Sequence, residues 1–423
     1  MKLTELRRLV SEGALRKYSH LYANLSRERE RVLLAIDAFS KRYGADRDVY
    51  LLSVPGRSEL LGNHTDHQRG KVLAGAIDRD VIAVAAKRED GIIRILSEGY
   101  PEDTVDTGKL SDPDAFENYT SSALIAGVAA GFLKHGYAIG GFDAYSTSDV
   151  LKGSGISSSA AYEVMIGNIL NHLYSDGKAR NTEIAKISQF AENVYFGKPS
   201  GLMDQMACAV GGFVYIDFEN KDAPAVEPLS LSLRDAGYEL AIINTGGNHA
   251  DLNDDYASVP AEMRSVAAFF GKEVLREVSE EELYSNIAAL RESVGDRAVL
   301  RSIHYMNENS RVSRGREAIV SGSLERFFGE VRSSGLSSFT YLQNVYTNKN
   351  VSEQGLSLAL ALIDSFGEGV GAFRVHGGGF AGTVQAYVKS DEADRFTEYM
   401  ERVFGKGSVM RLSIRPEGAV RLF

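Results

Sequence analysis

The sequence predicts an α+β protein built from two domains. At 423 residues the chain is longer than one ordinary hydrophobic core accommodates, so two cores are expected. Segments with strand character occur near both ends of the chain, and its glycine-rich segments lie far apart, which suits an α+β arrangement. A polar, proline-containing stretch at residues 220–228 separates two apolar runs. We place the boundary there, between domains 1–220 and 221–423.

Hydrophobic patterns predict the individual elements. A helical region runs from the N-terminus through Phe39. The apolar runs 81–86 and 92–96 flank an Asp-Gly pair at residues 90 and 91, which predicts a β-hairpin. Further helices are expected at about 120–133, at 159–173 and within 260–331, and buried strands at 213–216, 240–243 and 383–388.

Composition and charge exclude several classes of protein. With 44% hydrophobic and 25% charged residues, the chain reads as folded and globular rather than disordered. The net charge of -10 argues against general nucleic-acid binding, which needs a basic surface. Cys208 is the single cysteine, so an intrachain disulfide is impossible and a reducing compartment fits. The charged N-terminus lacks a signal-peptide core, and no run approaches the roughly 20 apolar residues of a membrane span, so a cytoplasmic protein with no membrane partner is expected.

A glycine- and serine-rich turn opens the helix predicted at 159–173. Small residues let backbone N–H groups approach an anion, the helix N-terminus adds partial positive charge, and a serine hydroxyl can reach a magnesium ion. No Gly-Lys-Ser/Thr follows the glycines, so this is not a P-loop. Behind it, Ala161, Met165, Ile169 and Leu173 recur every four residues as one apolar stripe. The candidate phosphate-binding residues are Gly153, Ser154, Gly155, Ile156, Ser157, Ser158, Ser159 and Ala160.

Two further segments, 55–70 and 197–205, concentrate polar side chains between glycines. A loop with this density of Arg, Asn, His and Asp can hydrogen-bond several hydroxyls of a small polar ligand. A metal site formed by His64, Asp66 and His67 is not favoured, because no fourth ligand lies nearby in the sequence.

These segments, together with the glycine-rich run 376–382, stand in an order that resembles the galactokinase branch of the GHMP kinases. The quoted patterns are Gly-Arg-x-x-Leu-x-Gly-x-His-Thr-Asp near residue 60, Gly-x-Gly-x-Ser-Ser-Ser-Ala near 155 and Gly-x-Pro-x-Gly-x-Met-Asp-Gln near 200. The resemblance extends from about residue 25 to the C-terminus. It implies an N-terminal domain with a mixed sheet, a C-terminal ferredoxin-like α+β domain, and an active site in the cleft.

The same resemblance implies an ATP-dependent sugar 1-kinase that uses Mg²⁺, with ATP and a small sugar as its ligands and no nucleic-acid partner. By its motif, Asp204 is the catalytic base and Arg57 the charged group beside it. Ser159 and Glu192 are the metal ligands, although an isolated helix glutamate is more often exposed. The residues assigned to sugar binding are Asn63, His64, Asp66, Gly201 and Tyr256.

One departure from the pattern leaves the sugar open. The family has a glutamate where this chain has Asn63, so a carboxylate expected near the sugar C6 hydroxyl is absent. Galactose is the first expectation; galacturonate or another C6-modified sugar is the alternative, with Arg69 or Lys71 as a cation for a C6 carboxylate. A catalytically silent sugar and ATP sensor is a further alternative, disfavoured because Arg57, Asp204 and Glu192 are retained. The His-Thr-Asp sequence disfavours a kinase for a non-sugar alcohol.

Overall fold

The computed structural model describes residues 1–22, 24–150, 155–198, 200–221, 223–247 and 252–423. Within it the chain forms two compact units. Unit 1 consists of Met1–Arg57, Ala76–Gly212 and Arg415–Phe423, and unit 2 of Ser58–Gly75 and Phe213–Ile414. The units interleave in sequence, and the division into domains 1–220 and 221–423 stays a prediction.

Unit 1 contains a mixed sheet. Its order is β12-β1-β2-β5-β3-β4, where β2 and β5 are antiparallel, β5 and β3 are parallel, and β3 and β4 are antiparallel. Strands β1 and β2 also contain residues of unit 2, namely 58–61 and 71–75. The bounds are β1 Tyr50–Leu61, β2 Lys71–Lys87, β3 Ile92–Ser97, β4 Glu102–Asp106, β5 Phe142–Ser148 and β12 Val420–Arg421.

Two helices of unit 1 begin at side-chain caps. The Asn24 side chain accepts a hydrogen bond from the Arg27 N–H, and Thr120 does the same for Ala123, so both act as N-caps. These two helices and the helix that begins at Ser158 confirm the expected segments. Their bounds are α1 Leu3–Ser11, α2 Leu25–Tyr43, α3 Ser121–Lys134, α4 Ser158–Tyr174, α5 Asn181–Phe190 and α6 Met203–Val210.

Helix α4 is the core helix of unit 1. The four residues of the predicted apolar stripe are all buried, but so are residues on its other faces, including Glu163 and Asn168. The helix packs against α3, α5 and α6, which explains burial beyond a single stripe. Cys208 in α6 is also fully buried, among other buried residues of that helix.

The predicted hairpin between residues 81–86 and 92–96 is wrong in its pairing. Both strands exist, but β5 lies between them: residues 81–87 pair with 142–148, and β3 pairs with the other edge of β5. The Asp-Gly pair makes the turn into β3, where the Asp90 carboxylate accepts a hydrogen bond from the Ile92 N–H. A local turn signal does not reveal that a strand about 50 residues away inserts between its neighbours.

Unit 2 is built on an antiparallel four-stranded sheet. Strand order β11-β8-β10-β9, with helices between the first and second and between the third and fourth of these strands along the chain, is the ferredoxin-like β-α-β-β-α-β arrangement. The strands of this sheet are β8 Tyr238–Asn244, β9 Val370–His376, β10 Thr383–Lys389 and β11 Val409–Leu412. Two further strands of unit 2, β6 Phe213–Asp217 and β7 Ala225–Leu229, pair with each other and lie outside this sheet. The α+β class and the expected strands at 213–216, 240–243 and 383–388 are confirmed.

The helices of unit 2 fill the predicted block and flank its sheet. They are α7 Asn253–Phe269, α8 Glu280–Ser285, α9 Ile287–Val294, α10 Asp296–Val320, α11 Leu324–Ser337, α12 Gly355–Phe366 and α13 Ala393–Phe404. One apolar core lies among α7 to α10, and a second lies between the sheet and the pair α12 and α13. In the described part of the chain, no helix is both long enough and apolar enough to span a bilayer.

Candidate active site

The predicted base and its arginine form an ion pair within unit 1. Arg57 donates from Nε to Asp204 Oδ1 at 2.7 Å and from Nη2 to Oδ2 at 2.8 Å. This bidentate contact fixes the orientation of both side chains. Asp204 lies in the first turn of α6, where the helix N-terminus favours negative charge. The pair is therefore a preorganised, charged element of the site.

The predicted phosphate-binding segment (the phosphate loop) contacts this ion pair through Gly155 and Ile156. Arg57 Nη1 donates to the Gly155 carbonyl at 2.6 Å, and the Arg57 backbone N–H donates to the Ile156 carbonyl at 3.1 Å. A Cβ at Gly56 would lie 2.7 Å from that same Ile156 oxygen, so the close approach of the two segments requires glycine there. The motifs near residues 57 and 155 are therefore in direct contact.

Asp204 is ionised at neutral pH. Burial by itself would raise its pKa, but the positive charge and hydrogen bonds of Arg57 outweigh burial, and the net pKa is lowered. The Ser157 hydroxyl also donates to Asp204 Oδ2. A carboxylate in this state can accept a proton from a hydroxyl, which is what a general base requires.

The N-terminus of α4 presents the expected serines. Ser157 is the N-cap and has a left-handed backbone with φ of 60°, while Ser158 and Ser159 are the first two helical residues, whose N–H groups have no partner within the helix and lie at its anion-favouring end. The structure directs the Ser157 hydroxyl to Asp204, a contact that the sequence did not predict. Gly153 and Ser154 lie outside the described residues.

Glu192 is buried, with a side chain 3% exposed, and so is unlike an ordinary helix carboxylate. It lies in a π-helical turn at Ala191–Tyr195 that follows α5, an irregularity often found at functional sites. Its Oε1 accepts from Lys198 Nζ at 2.9 Å, and its Oε2 accepts from Gln205 Nε2 at 2.8 Å.

A second buried glutamate adjoins this group. Gln205 Nε2 also donates to Glu163 Oε2 at 3.1 Å, while Glu163 Oε1 and Gln205 Oε1 are buried without a hydrogen-bond partner among the described residues. Burial, followed by the charge of Glu192, raises the pKa of Glu163. A magnesium ion fits this oxygen-rich group, because an ammonium nitrogen already occupies a cation position against Glu192.

The sequence reasoning missed Glu163, Gln205 and Lys198. A usable signal existed for two of them, since Gln205 directly follows Asp204 and Glu163 falls among apolar residues of α4. A charged residue amid apolar neighbours on a helix is rare unless it has a partner.

The predicted sugar-binding side chains form a second group, within unit 2, on the glycine run 377–379. Asn63 Nδ2 donates to the Gly377 carbonyl at 2.8 Å, and Tyr256 Oη donates to the Gly379 carbonyl at 2.8 Å. Between them, His64 Nε2 lies 2.9 Å from the Gly378 carbonyl. Three successive carbonyls thus hold three of the predicted residues, which explains why the glycine-rich motif accompanies the His-Thr-Asp motif.

Asn63 is buried and its amide is fully engaged. Beyond Gly377, its Nδ2 donates to Glu59 Oε1 at 3.2 Å, and its Oδ1 accepts from Asn344 Nδ2 at 2.9 Å and from Ser338 Oγ at 3.3 Å. An amide makes about four hydrogen bonds at most, so a sugar group would have to displace one of these contacts.

Helix α10 contacts the backbone of the loop that carries Asn63. His304 Nε2 lies 2.9 Å from the Asn63 carbonyl, and Glu308 Oε1 accepts from the Gly62 N–H at 3.0 Å. Burial lowers the pKa of His304 to about 4, so the ring is neutral and Nε2 is the donor. Burial alone would raise the pKa of Glu308, but the charges of His304, Arg374 and Arg311 outweigh burial and bring the pKa to about 2, in the acid range where His304 is itself protonated. Sequence reasoning did not assign either α10 residue a role.

The remaining predicted residues are less enclosed. Asp66 is half-buried in a short turn, Asp66–Gln68, in unit 2, and Gly201 is exposed before α6 in unit 1. Arg69 pairs with Glu273 and with Glu277, the latter at 3.1 Å, and Lys71 Nζ donates to Ser313 Oγ at 2.9 Å. Both candidate cations for a C6 carboxylate therefore have partners of their own.

The chain is similar to known proteins along most of its length. A family model for the galactokinase galactose-binding signature matches residues 37–87, and one for the GHMP kinase N-terminal domain matches residues 121–212. Galactokinase from Streptomyces coelicolor is 30% identical over 373 residues, which cover 87% of this chain and 92% of that protein. Galactokinase from Lactococcus lactis subsp. lactis is 28% identical over 390 residues, covering 89% and 92%.

Solved structures give the same relationship. The crystal structure of Lactococcus lactis galactokinase complexed with galactose matches with a TM-score of 0.77 at 25% identity, over 92% of this chain and 100% of that one. A mevalonate kinase structure matches with a TM-score of 0.60 at 12% identity, over 87% and 99%, which shows a shared fold.

Proposed function

We propose that this chain, which belongs to the galactokinase family of the GHMP kinases, transfers the γ-phosphoryl group of ATP to the anomeric hydroxyl of galactose. The observation that carries the proposal is the ion pair of Arg57 and Asp204, tied to the phosphate loop through Gly155 and Ser157. The products are galactose 1-phosphate and ADP. We place the reaction in the cytoplasm, where ATP is available and the buried Cys208 stays reduced.

In the proposed reaction, the oxygen of the sugar C1 hydroxyl bonds to the γ-phosphorus. As that bond forms, Asp204 accepts the proton of the hydroxyl. The bond from that phosphorus to the bridging oxygen breaks, and ADP leaves with the electron pair. Arg57 keeps Asp204 ionised and places positive charge beside the reacting oxygens. Phosphoryl transfer depends mainly on positioning and charge compensation, and this rigid pair supplies both.

We further propose that Glu192 and Ser159 hold Mg²⁺, which when bound would neutralise charge on the phosphates of ATP. Glu192 suits the role because it is a buried carboxylate with a cation already against it. The N–H groups of the first turn of α4 would receive phosphate oxygens.

For the sugar we propose contacts from Asn63, His64, Asp66, Tyr256 and Gly201. Galactose is favoured over a uronic acid, because the two candidate cations for a C6 carboxylate, Arg69 and Lys71, already have protein partners. A silent sensor is disfavoured, since it would not need a preorganised, ionised base.

The test is ATP consumption with galactose, galacturonate, glucose, N-acetylgalactosamine and arabinose in turn, with phosphorus NMR locating the new phosphate. The proposal expects turnover on galactose and a phosphate on C1. Binding of galactose and ATP without turnover would point to a sensor. Phosphorylation of galacturonate in preference to galactose would contradict the assignment of the sugar.

A further inference from the structure

The contact between Lys198 and Glu192 joins two side chains of very different exposure. The Lys198 side chain is 54% exposed and the Glu192 side chain 3% exposed, with Nζ and Oε1 2.9 Å apart. The backbone holds the same two residues together, because the Lys198 N–H donates to the Glu192 carbonyl at 3.1 Å. The main chain thus keeps the lysine beside the carboxylate, while its stem remains in solvent.

Glu192 is a buried carboxylate, and a buried charge needs a compensating partner. An unpaired buried carboxylate is strongly unfavourable, and the Gln205 amide supplies a hydrogen bond but no charge. Among the described residues, Lys198 is the one cation paired with Glu192. The lysine therefore does for this carboxylate what a bound metal ion would do.

A divalent ion on Glu192 would make the lysine superfluous. An ammonium and a Mg²⁺ a few ångströms apart repel each other, and the exposed stem lets Lys198 move into water at little cost. Glu163 Oε1 and Gln205 Oε1, buried without partners among the described residues, mark unused oxygen acceptors in the same group.

We propose that Lys198 is a resident cation that competes with Mg²⁺ for Glu192: it neutralises the carboxylate in the metal-free protein and leaves it when the metal binds. This inference rests on the proposed role of Glu192 as a metal ligand. It assigns Lys198 a role that the phosphate and sugar motifs do not include. Removing the lysine charge should therefore strengthen metal binding rather than weaken it.

The test is a titration of the nucleotide-free protein with Mn²⁺, in which electron paramagnetic resonance measures the free ion. Lys198→Met removes the charge and keeps most of the stem, and Lys178→Met is the matched control, because Lys178 is an exposed lysine whose partner, Asp176, is also exposed. We expect Lys198→Met to bind Mn²⁺ about tenfold more tightly than the wild type, and Lys178→Met to match the wild type. Unchanged or weaker binding by Lys198→Met overturns the proposal.

Two further measurements separate this exchange from other effects. In the Glu192→Gln background, Lys198→Met should give no tightening; tightening that persists there reflects long-range charge and contradicts the proposal. Mn²⁺ should also raise the melting temperature of Lys198→Met more than that of the wild type, because the uncompensated carboxylate regains a cation. An equal rise in both proteins overturns the proposal even if the variant is less stable. Failure of the wild type to phosphorylate galactose would refute the proposed function and leave these binding results unaffected.

Discussion

Changing Asn63 to aspartate replaces two buried N–H donors with a carboxylate oxygen of nearly the same shape. That oxygen would face the Gly377 carbonyl at about the present 2.8 Å and Glu59 Oε1 at about 3.2 Å. Two unit charges 3.2 Å apart repel by about 5 kcal/mol at an effective dielectric constant near 20. The new carboxyl escapes this repulsion by binding a proton, which at pH 7 costs about 4 kcal/mol for a group with a normal pKa near 4.

Protonation costs less than the charge repulsion, so protonation determines the loss of stability. We therefore expect Asn63→Asp to lower the free energy of unfolding by about 3 to 4 kcal/mol at pH 7. The new group has a pKa raised by folding, so its penalty is present above its unfolded pKa and fades as the pH falls toward about 4. At pH 5 the penalty should be roughly 1 to 2 kcal/mol.

Urea unfolding at pH 5, 6, 7 and 8 measures this change. Asn348→Asp is the matched control, because Asn348 is exposed in a loop of the same unit. It should change stability by less than about 0.5 kcal/mol at each pH. An Asn63→Asp protein as stable as the wild type at pH 7, or a penalty independent of pH, would refute the idea that the Asn63 amide holds this loop by donating hydrogen bonds.

Three other substitutions test separate parts of the structure. Glu308→Gln should lower the free energy of unfolding by about 3 kcal/mol at pH 7; because the folded pKa of Glu308 is depressed to about 2, the difference from the wild type should shrink between about pH 4.5 and 2 in acid unfolding curves. Arg57→Met should raise the pKa of Asp204, since burial then acts unopposed, so the residual rate should fall at a higher pH on the acid side than in the wild type; an unshifted pH profile would show that Arg57 does not control this carboxyl. Glu192→Gln should raise the Mg²⁺ concentration that gives half the maximal rate, and an unchanged Mg²⁺ dependence would remove Glu192 from the metal site.

Local patterns in the sequence predict the individual helices and strands of this fold better than they predict which strands pair with each other. Helix α4 appears within one residue of its expected bounds, because an apolar repeat and a serine N-terminus are encoded locally. The failed hairpin shows the limit, since nothing near residues 90 and 91 indicates that β5 separates β2 from β3.

The candidate site divides in the same way. The family resemblance of its motifs predicted roles for Asp204, Arg57 and Glu192, and these roles stay predictions. The supporting contacts of Asn63 with Gly377 and of His304 with the Asn63 carbonyl join residues more than 200 positions apart, and no local pattern specifies them. Burial was also invisible in advance: Glu192 and Asn63 are polar residues whose enclosure depends on the whole fold.

The central claim is that Asp204, kept ionised by Arg57, accepts the proton of the sugar hydroxyl. Asp204→Asn tests it most directly, because the amide keeps the shape of the side chain and cannot accept that proton as a carboxylate does. We expect ATP and galactose to bind within a few-fold of the wild type in calorimetry, while single-turnover phosphoryl transfer falls by at least about 10²-fold. Transfer at a rate near that of the wild type, with binding intact, would contradict the account.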